Sequence, residues 1–461
     1  MFALMIAFET VAVFGGTLSG LFMMGGTLEQ ALVLTLCYTT AFYFSDMYDP
    51  GIIRSFAAFL AGLPRVVGFT AILMAASWGL LPGARVPAEV LGAAALVMLA
   101  VVLIVRSAGY EAQRLRPCLE RVVVLGQGSL ARLIREGIEA RPQLRMVLVD
   151  VGTERTHGKP MDGRKPFGLT ISDLDAIITE YKPQRIICAS TDQSGGVPIA
   201  KLLEMRLDGI AVDDGNDFYE NMTGKVILEA LAPGSFVFGA RSRTIRLHLS
   251  VGRAISMAVS AVGLAVATPL FLLIAIAIRI DSAGPIFYVQ ERIGLRGRRY
   301  KMLKFRTMQI NEVESSMWAQ DNGHRITRVG TWLRQFRLDE LPQFINILLG
   351  DMNLVGPRPH PASNVKLFTG SIPHYELRHA VRPGVTGWAQ TQYRYANNLA
   401  QETEKVRYDF FYIKHMSTSF DLRILFDTIK VVLLGRRSDM TQPLAAAVPA
   451  GEPTEVRDTA A

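Results

Sequence analysis

The sequence predicts a membrane protein of mixed α and α/β class. Four transmembrane helices are expected first, then a parallel-sheet module, then a second α/β domain that begins with a further membrane-length helix. Three observations carry this. Residues 10–28, 30–45, 66–84 and 90–105 contain no Asp, Glu, Lys or Arg, and each approaches the roughly 20 residues that cross a hydrocarbon core. Strand-like and helix-like patterns alternate over residues 119–220, the order that builds a parallel sheet. A fifth uncharged stretch, residues 254–278, lies between Arg253 and Arg279.

The N-terminal block accounts for much of a composition that is 50% hydrophobic, with a mean hydropathy of +0.25. A cleaved signal peptide fits poorly, because no basic segment precedes the first apolar run and Glu9 interrupts it. Arg54 and Arg65 separate the second and third runs, and Arg106, Arg114, Arg116 and Arg121 follow the fourth, against only Arg85 before it. Basic residues stay on the cytoplasmic side, so the expected location is the cytoplasmic membrane, multi-pass, with everything after residue 106 in the cytoplasm. Cys37, Cys118 and Cys188 are far apart and imply neither a disulfide framework nor a zinc site.

The parallel-sheet module opens at Arg121–Gly128 (RVVVLGQG), where a strand runs into Gly126-x-Gly128-x-x-Ala131 and a helical pattern extends through Ile138. Further strands are expected at Met146–Asp150 and Arg185–Ser190. This is the Rossmann pattern. It allows nucleotide binding, with Asp150 on a ribose, or a structural or regulatory module that has lost the ligand.

The run 254–278 is long enough to span. Spanning, however, separates the Rossmann-like module from the residues that follow it. Thr268-Pro269 sits inside the run, and proline removes a helical hydrogen bond and clashes with the preceding turn. A kinked, re-entrant helix with both ends in the cytoplasm and an ordinary fifth span remain alternatives. In the former, Thr268 is positioned to meet the freed carbonyls. The net charge of +8 is concentrated just beyond: 8 of the 49 Lys and Arg lie between Arg279 and Arg306, against Asp281 and Glu291. Next to a membrane segment, and with no nucleic-acid motif, that cluster favours anionic headgroups or a phosphate ligand.

The chemistry concentrates in Arg334–Pro359 (RQFRLDELPQFINILLGDMNLVGPRP). Asp339 and Glu340 are adjacent carboxylates. Arg334 and Arg337 lie just upstream, and Arg358 is held between Pro357 and Pro359. Carboxylates that attack or hold a divalent cation, beside guanidiniums that grip phosphoryl oxygens, suit a phosphate ester. Leu338–Pro342 starts a helix that Gly350 ends, so simple N-capping is the competing interpretation of the acidic pair. Upstream, YKMLKFRTM alternates like a half-buried strand, with Leu303 and Phe305 toward the core. Lys304 and Arg306 share the other face, as a phosphate cradle or as solvated charge. Residues 421–434 form an apolar-faced helix for a bilayer or for the core. The tail from Thr441 reads as disordered.

These motifs together, KFRTM (304–308), LDELPQ (338–343), GDMNLVGPRP (350–359), RPGVTGWAQ (382–390) and YDFFYIKHMS (408–417), resemble the bacterial sugar transferase family, the monotopic phosphoglycosyl transferases, over about 190 of 461 residues. The N-terminal helices and Rossmann-like module are similar to its long-form, polyprenyl glycosylphosphotransferase branch, which starts exopolysaccharide synthesis. The implied division is 1–112 membrane block, 113–245 Rossmann-like (CoA-binding-like) module, 246–440 transferase domain with a re-entrant helix over 253–280, and 441–461 tail.

The resemblance implies transfer of a sugar-1-phosphate from a UDP-sugar to undecaprenyl phosphate with release of UMP. It makes Asp339 the nucleophile of a covalent phosphosugar intermediate, with Mg²⁺ held by Asp339 and Glu340. Arg358 is expected on nucleotide phosphate, Arg394 over the substrate and Arg334 near lipid phosphate. Thr268-Pro269 stands where the family carries a Ser-Pro break, and a homodimer is a reasonable expectation. Two rivals differ in class. Tyr300 and Lys304 match the Tyr-x-x-x-Lys string of nucleotide-sugar dehydratases, and an inactive transferase fold serving as a scaffold is the other.

Overall fold

The computed structural model describes residues 27–48, 56–80, 88–115, 119–126, 128–149, 171–189, 199–228, 242–309, 325–393 and 396–434, with Val11, Gly15, Arg85 and Leu231. The chain divides into two compact units, Met1–Val122 with Ile138–Val149 and Tyr181–Pro183, and Val123–Gly137 with Asp150–Glu180 and Gln184–Ala461.

In the first unit, α1 (Leu28–Phe44), α2 (Phe56–Leu80) and α3 (Ala88–Leu115) follow the second, third and fourth apolar runs. Thr27 caps α1 through a reciprocal box with Gln30. The helices share an aromatic-rich core of Tyr38, Phe42, Phe59, Val66 and Val102. Arg106 is buried against this core, 5.3 Å from the Phe59 ring centre, and donates to the Met47 carbonyl. Four spans were expected. Among the described residues, two helices are long and apolar enough to cross a membrane, Phe59–Gly79 and Ile245–Asp281. Helix α1 has 17 residues, and the apolar part of α3 is Ala95–Ala108. The expected span 10–28 lies outside the described residues except for Val11, Gly15, Thr27 and Leu28.

The alternating pattern resolves into β1 (Glu120–Leu125), α4 (Ser129–Glu139), β2 (Met146–Leu148), α5 (Ile171–Tyr181), β3 (Arg185–Cys188), α6 (Ile199–Leu207), β4 (Ala211–Asp214) and α7 (Gly215–Thr223). The sheet order is β2-β1-β3-β4, and the β1/β2 and β3/β4 pairs are parallel. Gly126 (φ 131°) and Gly128 (φ 116°) take left-handed backbone at the β1–α4 turn, which explains the glycine spacing there. Asp150 and the tail 441–461 lie outside the described residues.

The C-terminal domain begins with α8 (Ser242–Asp281), a single helix of 40 residues, on the order of 60 Å if straight. It runs without interruption through Thr268-Pro269, so the expected break is not one of secondary structure. Thr268 Oγ1 donates to the Leu264 carbonyl, its own i−4 partner, and not to the Ala265 carbonyl that Pro269 leaves without a donor. The domain packs on α8 toward both ends. Arg253 donates to the carbonyls of Met352 (2.9 Å) and Ile347 (2.6 Å). Ile274 and Ile278 join Phe305 and Leu333, and Asp281 accepts the Val329 N–H at 3.0 Å. Between these contacts Val262, Val266, Leu272 and Leu273 are exposed.

Strands β5 (Phe287–Ile293) and β6 (Arg299–Phe305) form an antiparallel hairpin. Then follow α9 (Arg328–Gln335), α10 (Gln343–Leu349), β7 (Asn353–Val355), α11 (Ala362–Ser371), β8 (Gly384–Thr386), α12 (Trp388–Gln392), α13 (Leu399–Lys414) and α14 (Thr418–Leu434). Helix α14 packs one face into the core and leaves apolar side chains exposed on another. Ile424 is fully buried in the core, while Leu422, Phe426 and Ile429 form an exposed apolar stripe.

Candidate active site

Arg337 adopts a left-handed conformation (φ 54°), uncommon for a residue with a side chain. It turns the chain out of α9 into the short 3₁₀ turn Leu338–Glu340, and Pro342 then leads into α10, which Gly350 closes in left-handed backbone (φ 99°). The two neighbouring carboxylates are thereby placed in unlike surroundings. Glu340 is 6% exposed. Its Oε1 accepts from Lys304 (3.1 Å) and Arg358 (2.9 Å), and Arg337 lies 3.5 Å from Oε2. Burial alone raises a carboxyl's pKa, but Lys304, Arg358 and Arg337 outweigh it and hold Glu340 far below the ordinary glutamate value.

Asp339 is half-buried, and among the described residues no ion pair or side-chain hydrogen bond reaches it. Burial first, and then the charge on Glu340, push its pKa up, partly countered by Lys304, Arg334 and Arg358. The result is one carboxylate fixed as an anion inside a cationic nest, beside one left available.

Long-range contacts build this nest. Asn346, 1% exposed on α10, donates to the Lys301 carbonyl (2.8 Å) and accepts the Leu303 N–H (3.0 Å), which fixes β6 so that Lys304 meets Glu340. The turn carrying Arg358 lies backbone-to-backbone on β8: a Cβ on Gly384 would stand 2.1 Å from the Gly356 nitrogen, so only glycine fits. Arg358 also donates to Gln390 Oε1 at 2.7 Å. Arg292 donates to the Pro359 carbonyl (2.8 Å) and Arg378 to the Arg358 carbonyl (3.0 Å). Arg378 is itself buried, paired with Asp409 at 2.6 Å and donating to Tyr375 Oη and His360 Nδ1. Because arginine can only donate, His360 Nδ1 accepts. Burial, reinforced by Arg378, keeps this imidazole neutral.

Of the residues expected from sequence, Lys304, Arg337 and Arg358 converge on Glu340, and Arg334 acts electrostatically on Asp339 while donating to Thr307 Oγ1 at 2.9 Å. Pro357 and Pro359 flank Arg358 as expected, with Pro359 anchored by Arg292. Arg306 does not share the face of Lys304 as expected. Strand β6 ends at Phe305, so the alternation stops, and Arg306 turns inward to donate to the carbonyls of Ala283 (2.7 Å) and Ser282 (2.6 Å) after α8. Phe305 faces the core as expected and packs on Phe271, but Tyr300 and Met302 are also buried, on the face that carries Lys304. Tyr300 and Lys304 lie on one strand and not on a helix, which removes the geometric basis of the dehydratase reading. Arg394 lies outside the described residues. Asn346, Gln390, Arg292 and Arg378 were not anticipated as site residues. Gln390 had a signal, its place in the RPGVTGWAQ string.

Fold and site together define a mixed α/β domain on a long apolar helix, with a carboxylate pair set among guanidinium and ammonium groups for a phosphate ester. Residues 247–435 match the model of the bacterial sugar transferase family, and the chain belongs to that family. A UDP-N-acetylgalactosamine-undecaprenyl-phosphate N-acetylgalactosaminephosphotransferase of Aeromonas hydrophila is 40% identical over 190 residues, 41% of this chain and 45% of the relative. An undecaprenyl-phosphate glucose phosphotransferase of Komagataeibacter xylinus is 30% identical over 333 residues, 70% of this chain and 61% of the relative. An exopolysaccharide production protein of Rhizobium leguminosarum bv. phaseoli is 37% identical over 190 residues, 40% of this chain and 95% of the relative. The chain thus spans less than half of the first relative and nearly all of the last.

Proposed function

We propose that the protein transfers a sugar-1-phosphate from a UDP-sugar to undecaprenyl phosphate, releasing UMP, as the first membrane step of exopolysaccharide or related glycoconjugate synthesis. The observation that carries this is the division of labour between Asp339, available and half-buried, and Glu340, fixed as an anion by three cations. The names of the relatives support the substrate classes.

An Asp339 carboxylate oxygen attacks the phosphorus that bears the sugar. An aspartyl-phosphosugar bond forms, the bond to the bridging oxygen breaks, and UMP leaves with that electron pair. An oxygen of the lipid phosphate then attacks the same phosphorus and releases the Asp339 carboxylate, giving the lipid diphosphosugar. Splitting the transfer this way makes the kinetics ping-pong. Arg358 grips the donor's phosphoryl oxygens, and Glu340 keeps that guanidinium and Lys304 aimed and charged.

Among the described residues no cluster of three or more metal-ligating side chains occurs. Mg²⁺ still fits, since it needs only one or two carboxylates when substrate phosphates complete its shell. Asp339 suits that role better than Glu340, whose oxygens already face cations. The ion would supply charge neutralisation that lets an anionic nucleophile approach a diphosphate.

The site of action is the cytoplasmic face of the bacterial inner membrane. Contacts of one domain with both ends of α8 support a helix that enters and leaves by one face, because a bilayer spanned by α8 would separate those ends. The deciding experiment is nucleotide release from purified protein in lipid with Mg²⁺, undecaprenyl phosphate and a panel of UDP-sugars. UMP release, lost in Asp339→Asn, supports the proposal; UDP release, the product of ordinary glycosyl transfer, refutes it.

A further inference from the structure

The segment between the parallel sheet and α8 is built into the support of Arg358, although it lies before residue 247, where the family match begins. Helix α7, N-capped by Asp214, lies against the end of α13. Its Glu220, 2% exposed, is 2.9 Å from Lys414 Nζ and 3.0 Å from His415 Nε2, and Asp217 takes a second contact from Lys414 at 3.1 Å. The helix ends on Gly224 in left-handed backbone (φ 71°). There the indole N–H of Trp388 donates to the Gly224 carbonyl at 2.8 Å, and a Cβ on Gly224 would stand 3.0 Å from the indole ring. Beyond it, Lys225 pairs with Glu404, the Val226 N–H donates to the Arg407 carbonyl, and Val226 and Leu228 enter the core with Phe368, Tyr375 and Phe410.

Two routes lead from this strap to Arg358. Trp388 and Gln390 share the short helix α12, and Gln390 Oε1 takes the guanidinium of Arg358. Tyr375, packed with Val226 and Leu228, hydrogen-bonds Arg378, which donates to the Arg358 carbonyl. One element thus braces both the side chain and the backbone of the residue that faces Glu340. The Rhizobium relative is covered over 95% of its length by 190 residues, about the extent of residues 247–435 that match the family.

We propose that Gly215–Leu228 is a positioning element of the transferase site and that Trp388 is the positioning residue through which it sets the guanidinium of Arg358 for the donor. The inference rests on the transfer reading above. It also gives the parallel-sheet module a physical route to the transfer step, since α7 is the helix that follows β4.

In a ping-pong reaction, kcat/KM for the donor and kcat/KM for the lipid acceptor report separate half-reactions, so positioning for the donor is separable from general damage. Trp388→Phe keeps an aromatic ring in the core and removes the hydrogen bond to Gly224 together with part of the indole's packing. In the full chain it is expected to lower kcat/KM for the UDP-sugar by up to about tenfold, the value of one hydrogen bond, with kcat/KM for undecaprenyl phosphate unchanged. In an Arg358→Lys background the same substitution is expected to add less than about twofold, because both act through one group. Equal losses in the two parameters, or losses that multiply with Arg358→Lys, overturn the inference. Should Trp388→Phe not fold, Glu220→Gln reads the same split from the α7 side, and equal losses there overturn it as well. An active wild type with the wrong pattern in the variants sinks this inference alone, whereas a wild type that releases no UMP sinks the transfer reading and this inference with it.

Discussion

Neutralising Glu340 while keeping its shape, as in Glu340→Gln, leaves Lys304 and Arg358 without their shared anion. The side chains of Lys304 and Glu340 are 15% and 8% exposed, whereas Arg358 and Arg337 are 30% and 27% exposed and regain some hydration. Breaking a buried pair costs about 3–5 kcal/mol, and the partial exposure of the arginines sets the expectation near the lower end, about 3 kcal/mol. For a domain of about 190 residues, where 1 kcal/mol moves the midpoint by roughly 2–4 °C, that is a fall of about 6–12 °C in thermal unfolding of the purified protein. Because the folded-state pKa of Glu340 is depressed, its stabilisation is fully present above the ordinary value of 4.5 and is lost as pH falls through the lower folded-state value. The difference between wild type and variant is therefore flat from pH 5 to 8 on this reasoning and narrows only in stronger acid. Adding Lys304→Met removes the stranded cation and is expected to recover part of the loss without restoring transfer. A Glu340→Gln protein that melts within about 2 °C of wild type at neutral pH, against the fall expected from a broken buried pair, refutes the reasoning.

Other consequences follow from the same geometry. Asp339→Asn is expected to abolish transfer yet raise the unfolding midpoint at neutral pH, since burial and the Glu340 charge both disfavour the Asp339 carboxylate; a lower midpoint contradicts this. The raised pKa of Asp339 also implies that, without Mg²⁺, its carboxyl titrates above the 3.8 of an ordinary aspartate. Titration of the Mg²⁺-free protein, wild type against Asp339→Asn, tests it, and a carboxyl that titrates at or below that value contradicts it. Asp409→Asn strands the buried Arg378 and is expected to destabilise by about 3–5 kcal/mol while lowering kcat/KM for the donor, because Arg378 holds the Arg358 carbonyl. Unchanged melting counts against the buried network.

The residues legible in the sequence were those whose partners lie nearby along the chain. Asp339, Glu340, Arg337 and Arg358 fall within one 26-residue stretch, and the apolar stripe and closing Gly350 of α10 fix their local placement. Lys304 was found through strand alternation, a rule that failed two residues later because β6 ends at Phe305 and Arg306 has no strand face to occupy. Asn346, Gln390 and Arg378 stayed hidden because they meet their partners 43, 32 and 31 residues away. The parallel sheet followed from its strand–helix alternation, but β4 (AVDD) is too short and too acidic to read as a strand. Thr268-Pro269 lies within continuous helix, because a proline can bend a long helix without ending it.

The central claim is that Asp339 carries the phosphosugar between the two substrates. It is tested most directly by mixing the purified protein, in lipid free of undecaprenyl phosphate, with an accepted UDP-sugar. Nucleotide release is then followed together with the intact mass of the protein. A burst approaching one UMP per protein and a mass gain of one phosphosugar on the peptide that contains Asp339 are expected, both absent in Asp339→Asn. UMP that appears only when the lipid phosphate is present, with no change in protein mass, would contradict it and point to direct transfer between the two substrates.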